Sequence, residues 1–444
     1  MMNEVTGSAA TSETGLIRAI GVRGLASNVV NNVVGSGIFV LPAVVAATLG
    51  PSAIIAYAIC AFAIGLIGVS FAAVGSRVAE SGGIYAYAEA GFGPFTGFLT
   101  GVLFWLSQMG AAAAVATVFA GSLAALIPSL AAPIPRAALL ILVYLGFAAV
   151  NVRGVTAGVR VMEALTFLKV IPLVILVVVG AFFVHPANLK WTAIPTFGAV
   201  SSSCLLLIFA FMGIEGAVTA SGEVSQPSRT VPRAIMLGLG AVAMLYIMVQ
   251  LVAQGVLGPD LALDQTAPLA SVADRMFGTT GRSLIAVAMA VSAFGYLSGD
   301  MLTTPRLLFA FGRDGFLPSR FGAVSARYHT PVIAIIVYGL LTCGVALTGT
   351  FQSLVILSTV STLLVYIVTC LAAVELRRRH VVADGPPFEP IGGPVIPLLA
   401  CGVILWMLTG AARKEFMAVG ATLVVAIILY AVRAFTRKPA TSAP

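Results

Sequence analysis

Charge is what this chain has least of. Only 9% of its 444 residues are Asp, Glu, Lys or Arg, against roughly 25% in soluble domains, too few to cover a soluble fold of this size. Cysteine and histidine are equally sparse. Cys60, Cys204, Cys343, Cys370 and Cys401 fall singly in apolar segments with no CxxC spacing. That excludes a disulfide framework and leaves small buried hydrophobes. His185, His329 and His380 show no metal-ligand spacing. No Walker-type glycine–lysine loop is present, which argues against an ATP-driven pump in one chain. The apolar segments hold neither a His/Asp/Glu cluster nor a Ser–His pair of the kind an enzyme would need. The net charge of +8 comes without the basic patch that nucleic acid requires. No nucleic-acid partner and no cofactor are expected.

What is abundant is apolar length. Hydrophobic residues make up 59% of the chain, and they arrive in blocks near the ~20 residues that cross a bilayer as a helix. Twelve such blocks run roughly over 20–46, 51–76, 94–126, 136–152, 160–184, 200–222, 233–257, 282–310, 331–349, 353–375, 394–411 and 414–435. No ten-residue alternation points to a barrel, so each block is expected to be a helix. The expected class is an all-α polytopic membrane protein with twelve transmembrane helices and the lipid bilayer as its solvent. The first block is too long for a signal peptide and is expected to be a retained span. The longest polar loops are expected near 255–281, 311–330 and 376–393.

Lys and Arg test the parse. With the N-terminus in the cytoplasm, seventeen of them, from Arg18 and Arg23 through Arg377–Arg379 to Lys438, fall in or near the even-numbered loops and the two termini. Arg136, Lys190, Arg275, Arg282, Arg413 and Lys414 fall on the other side, and Lys169 lies inside a span. The bias predicts cytoplasmic N- and C-termini.

Two blocks are interrupted. The first contains Asn32-Val33-Val34-Gly35-Ser36-Gly37-Ile38, where paired glycines cost a helix interior roughly 1 kcal/mol each relative to alanine. Unwound backbone in lipid is tolerated where it lines a cavity, and a helix restarting there aims free N–H groups at an anion such as a carboxylate. The same residues also fit a small-residue packing face. The sixth block contains Phe209-Ala210-Phe211-Met212-Gly213-Ile214-Glu215-Gly216, followed by Gly222-Glu223. Matched interruptions in two halves of five helices predict an inverted repeat with a substrate site at its interface. The expected organisation is a tail over 1–19, a first five-helix repeat over 20–184, and a second, inverted repeat over 200–375. Two additional helices over 394–435 and a tail over 436–444 complete it.

Ionisable residues inside spans are costly and usually functional. Lys169 reads either as a lysine snorkelling to the nearby interface or as an ammonium inside the bundle that exchanges a proton during transport. Glu215 at the second break and Asp300 deep in the eighth block read either as site carboxylates or as hydrogen-bonded ties between helices.

Taken in order, Gly35-Ser36-Gly37-Ile38-Phe39, Ser81-Gly82-Gly83-Ile84-Tyr85, Phe211-Met212-Gly213-Ile214-Glu215, Val231-Pro232-Arg233-Ala234 and Gly312-Arg313-Asp314-Gly315-Phe316-Leu317-Pro318 resemble the amino acid–polyamine–organocation superfamily, in particular bacterial amino acid permeases. The resemblance implies the leucine-transporter-type fold of five plus five helices with two more at the C-terminus, and secondary active transport of amino acids by alternating access across a cell membrane, here a bacterial inner membrane. Polyamine or cationic-amine antiport, or a channel or ligand sensor, are the alternatives. It implies a substrate site made of Asn32, Val33, Gly35, Ser36, Gly37, Ile38, Phe209, Ala210, Met212, Glu215 and Asp300. Ser36 and Gly37 would meet the substrate carboxylate, carbonyls near Phe209, Ala210 and Met212 would meet its amino group, and Phe209 would be an aromatic gate. Lys169 would stand where sodium-coupled relatives bind an ion, making protons the coupling partner. Trp105-Leu106-Ser107-Gln108 and Asp300 depart from the arginine–agmatine exchangers of that superfamily.

Overall fold

In lipid every backbone N–H and C=O must be satisfied within the protein, and each apolar block accordingly contains helix. The computed structural model describes residues 21–78, 83–153, 159–191, 193–215, 224–382, 386–390 and 392–436. No strand is present among the described residues. The helices are α1 Val22–Val33, α2 Gly37–Leu49, α3 Ala53–Gly75, α4 Ile84–Phe92, α5 Pro94–Leu126, α6 Pro133–Arg153, α7 Val159–Gly180 and α8 Phe197–Phe211, followed by α9 Pro227–Leu257, α10 Pro268–Thr303, α11 Pro305–Arg313, α12 Val332–Thr348, α13 Phe351–Arg378, α14 Val395–Leu408 and α15 Arg413–Thr436. Among the described residues, seven helical stretches are long and apolar enough to cross a membrane. Four shorter apolar helices, Lys169–Phe183, Phe197–Phe211, Val332–Thr348 and Val395–Leu408, accompany them. The chain is a multi-pass membrane protein.

Two expectations need correction. The polar stretch 255–281 is largely helical, because α10 begins at Pro268. Proline suits a first helical turn. The Asp264 carboxylate just ahead of it accepts the N–H groups of Thr266 and Ala267 (3.0 Å each) and the Ser271 hydroxyl (2.6 Å). Burial alone would raise the Asp264 carboxyl, but these bonds, together with Arg282, hold it below the ordinary aspartate value. Leu269, Ala270, Val272 and Ala273 then bury one face, an amphipathic pattern that average hydropathy misses. The second correction is α4, a short helix between the second and third apolar blocks, where the sequence pattern assigns no helix. It packs against α5 and α13, and Gly91 brings it within van der Waals contact of Ala372.

The core lies where α1 meets α9, α2 meets α8, α3 meets both α8 and α9, and α5 meets α13 and α10. Small residues set these crossings, as expected where lipid supplies no hydrophobic drive between helices. Gly238 of α9 sits against Val29 of α1, and Gly110 of α5 against the backbone of Ser358 in α13. The Ser107 hydroxyl bonds those of Ser358 (3.2 Å) and Thr362 across the α5–α13 contact. All five cysteines are buried thiols. In contrast, α6 and α15 present much of their surface outward, with Leu142, Leu145, Val425 and Ile428 exposed. At the arginine-rich end, Glu389 is gripped by Arg77 on one carboxylate oxygen and by Arg377 (3.0 Å) on the other. It ties the loop after α13 back to the end of α3.

Candidate substrate site at two broken helices

The first break separates α1 from α2. Val34 leaves helical geometry at ψ 84°, and Ser36 precedes α2 with no side-chain capping bond. Phe39 N–H turns back on the Ser36 carbonyl (3.1 Å). The N–H groups of Gly37 and Ile38, at the start of the helix, have no intrahelical carbonyl to bond. The Ser36 side chain is 1% exposed and its hydroxyl has no hydrogen-bond partner among the described residues. A buried polar atom left unpaired costs roughly 1–3 kcal/mol, so α2 opens on a set of unused polar groups. Gly35, Ser36, Gly37 and Ile38 therefore form one local unit.

The second break follows α8. Met212 is extended at ψ 158° and Gly213 takes φ +124°, a conformation L side chains rarely adopt. The chain is helical again at Ile214 and Glu215. Gly216, Gly222 and Glu223 lie outside the described residues. Glu215 folds back on the break, where its Oε2 accepts the Gly213 N–H (3.0 Å) and the Tyr366 hydroxyl of α13 (2.6 Å). The carboxylate caps the severed helix and anchors it to α13.

The two breaks touch. Space at Gly37 is closed by the Phe209 ring and the Ala210 backbone, 3.2 and 3.4 Å from where a β-carbon would stand. Gly213 lies against the backbone of Asn32 and Val33. Between them the Tyr246 hydroxyl of α9 is 3.0 Å from the Val33 carbonyl and 3.1 Å from the Ala210 carbonyl, its ring held edge-on by Phe211 at 5.0 Å. Asn32 is oriented from its own helix, donating to the Asn28 carbonyl (2.9 Å) and side-chain oxygen (2.7 Å). Donors at the start of α2 thus oppose the carbonyl end of α8, a pairing suited to a small ligand with a negative and a positive end.

Lys169 joins this group. Its Nζ donates to the Asn31 carbonyl at 2.5 Å, in the last turn of α1, where helix carbonyls lack intrahelical partners and carry partial negative charge. Asp300 sits differently. Its Oδ1 accepts from Thr304 (2.6 Å) and its Oδ2 from Tyr338 of α12 (2.7 Å), and Trp105 stands edge-on to Tyr338 at 6.4 Å. Among the described residues those hydroxyls, and no basic group, hold the Asp300 carboxylate. Tyr246, which links the two breaks, and Tyr366, which anchors the second to α13, are not singled out by the sequence. A tyrosine in an apolar span carries a hydroxyl needing a partner, but nothing in the spacing says which carbonyl or carboxylate it finds.

A bundle of apolar helices with two broken ones meeting at its core defines the class as a membrane transporter. The chain belongs to the amino acid permease family of the amino acid–polyamine–organocation superfamily, the family description "Amino acid permease" matching residues 20–433. Similar proteins include the methylthioribose transporter of Bacillus subtilis, 27% identical over 90% of both chains. The branched-chain amino acid permease BcaP of the same organism is 25% identical over 95% of this chain and 94% of its own. Its serine/threonine exchanger SteT is 27% identical over 94% of this chain and 96% of its own.

Proposed function

We propose that the protein carries amino acids across the cell membrane by alternating access, through twelve spans arranged as two inverted five-helix repeats plus two C-terminal helices, with both termini in the cytoplasm. The observation that carries the reading is the contact between the two breaks, Gly37 against Phe209 and Ala210, and Gly213 against Asn32. The substrate carboxylate would take the N–H groups opening α2 and the unpartnered Ser36 hydroxyl. Its amino group would take carbonyls at Phe209, Ala210 and Met212, with Phe209 closing over it. Permease and exchanger relatives that align along nearly their whole length support this substrate class.

Lys169 would serve coupling. Its ammonium at the end of α1 supplies the positive charge a bound cation would otherwise provide there, so transport is sodium-independent and driven by protons or by exchange. Uptake of labelled amino acids into proteoliposomes free of sodium is expected to saturate and to rise with an inward proton gradient. Strict sodium dependence would overturn the role of Lys169, and non-saturating flux would indicate a channel. A second reading, transport of a neutral thio-sugar, has one observation in its favour, the similarity over nine-tenths of both chains to a methylthioribose transporter. A thermal-shift screen with amino acids, polyamines and methylthioribose separates the substrate classes, since a ligand that binds the folded state raises its apparent stability.

A further inference from the structure

Two cavities open at the arginine-rich end of the molecule, and they differ in one respect. In the larger, Arg77 and Arg377 already hold Glu389 between them. The smaller, about 330 Å³, is lined by Asn151, Arg153, Arg306, Tyr328, His329 and Thr330, among others, and among the described residues by no carboxylate. Neither Arg153 nor Arg306 forms a salt bridge among the described residues. Among the described residues the two arginines lining this cavity have no carboxylate beside them, an arrangement that an anion would complement.

The walls are built rather than incidental. The Thr330 hydroxyl donates to the Val152 carbonyl (2.8 Å) at the end of α6. Ser325 N–H reaches the Thr330 carbonyl (3.0 Å) and His329 N–H the Ser325 carbonyl (2.9 Å), closing a tight loop in which His329 holds φ +54°. Asn151, 6% exposed, spends its amide N–H on the Phe147 carbonyl (2.9 Å) while its Oδ1 is buried without a donor. The cavity therefore offers two fork-shaped cations, the natural partners of phosphate oxygens, beside one spare acceptor.

Its position selects among phosphates. Arg153 ends α6, a helix whose outward face is apolar, with Leu142, Leu145 and Val150 exposed, and α12 beside it exposes Ile333, Ile336 and Leu340. The cavity thus lies at the foot of a lipid-facing surface, where basic pockets between membrane helices meet headgroups. We propose that it binds the phosphodiester headgroup of an anionic lipid, with Arg153 and Arg306 taking the phosphate and the fixed Asn151–Thr330 wall holding the cavity open.

The test uses the full chain in phosphatidylcholine nanodiscs containing a photoactivatable phosphatidylglycerol. Label is expected on peptides carrying Asn151–Arg153, Arg306 and Tyr328–Thr330. R153Q or R306Q is expected to cut it about five-fold, the ~1 kcal/mol a basic residue contributes near an anionic membrane, and R320Q, on the same face but outside the cavity, to leave it unchanged. Label concentrated elsewhere, or unchanged in the double R153Q/R306Q variant, overturns the proposal. Should that variant not fold, the wild-type map alone decides. Excess inorganic phosphate is expected to leave the label in place; displacement would make this a site for soluble phosphate and overturn the lipid assignment.

Discussion

Gly213 rests its α-carbon against the peptide carbonyl of Asn32, so closely that a β-carbon there would overlap the carbonyl oxygen. Each broken helix is the wall of the other, and both conformations depend on one position having no side chain.

Gly213→Ala is therefore expected to lose transport. The φ of +124° strains any L side chain by ~1–3 kcal/mol, and the overlap would push the breaks apart. Uptake into proteoliposomes should fall at least ten-fold, since each ~1.4 kcal/mol is a factor of ten. Near-normal uptake would mean the breaks do not work as a pair.

Glu215 accepts two donors on one oxygen, the Tyr366 hydroxyl buried and the Gly213 N–H part-buried. Truncation to alanine strands both, at ~1–3 kcal/mol each, and should lower the melting temperature clearly. Glu215→Gln keeps an oxygen for the same donors and is expected to retain most of that stability. Equal melting temperatures for the two variants would show that the carboxylate does not cap the break.

Asp300 is held by Thr304 and Tyr338, which points to a tie between α10 and α12 rather than recognition of a cationic side chain. Asp300→Asn is expected to reduce stability while leaving the ratio of lysine to leucine uptake unchanged. A selective loss of lysine uptake would return Asp300 to the substrate site.

Asp264, ahead of α10, has its carboxyl held below the ordinary value by the N–H and O–H donors around it. A carboxyl lowered in the folded state contributes stability above its unfolded value, ~3.9, and that contribution fades as pH falls through the lower folded value. Asp264→Asn is expected to melt earlier than wild type near neutral pH, with the gap narrowing below about pH 4. A gap independent of pH would refute the assignment.

The positions of both breaks were legible because glycine pairs are costly inside a lipid-embedded helix, and Gly35, Gly37 and Gly213 announce themselves against apolar neighbours. Lys169 and Glu215 stood out because charge is so rare. What the sequence could not convey was pairing at a distance. That Lys169 would meet Asn31, 138 residues earlier, or that Asp300 would be claimed by Tyr338, depends on how helices rotate against one another. The helical start of α10 was hidden for a local reason, since its buried face alternates with Asp274 and Arg275 and averages to a polar stretch.

The Tyr246 hydroxyl also bears on biogenesis. The helices it links, α1 and α8, emerge from the ribosome well before it does, and until α9 enters the bilayer the Val33 and Ala210 carbonyls have no common donor. The two breaks are therefore set in register only once α9 is made, and the second gains its anchor to α13 later still, with Tyr366. A chain halted after Glu215 holds both breaks without the hydroxyl that sets them in register, and its broken ends should remain more open to proteolysis than those of a chain halted after Leu257.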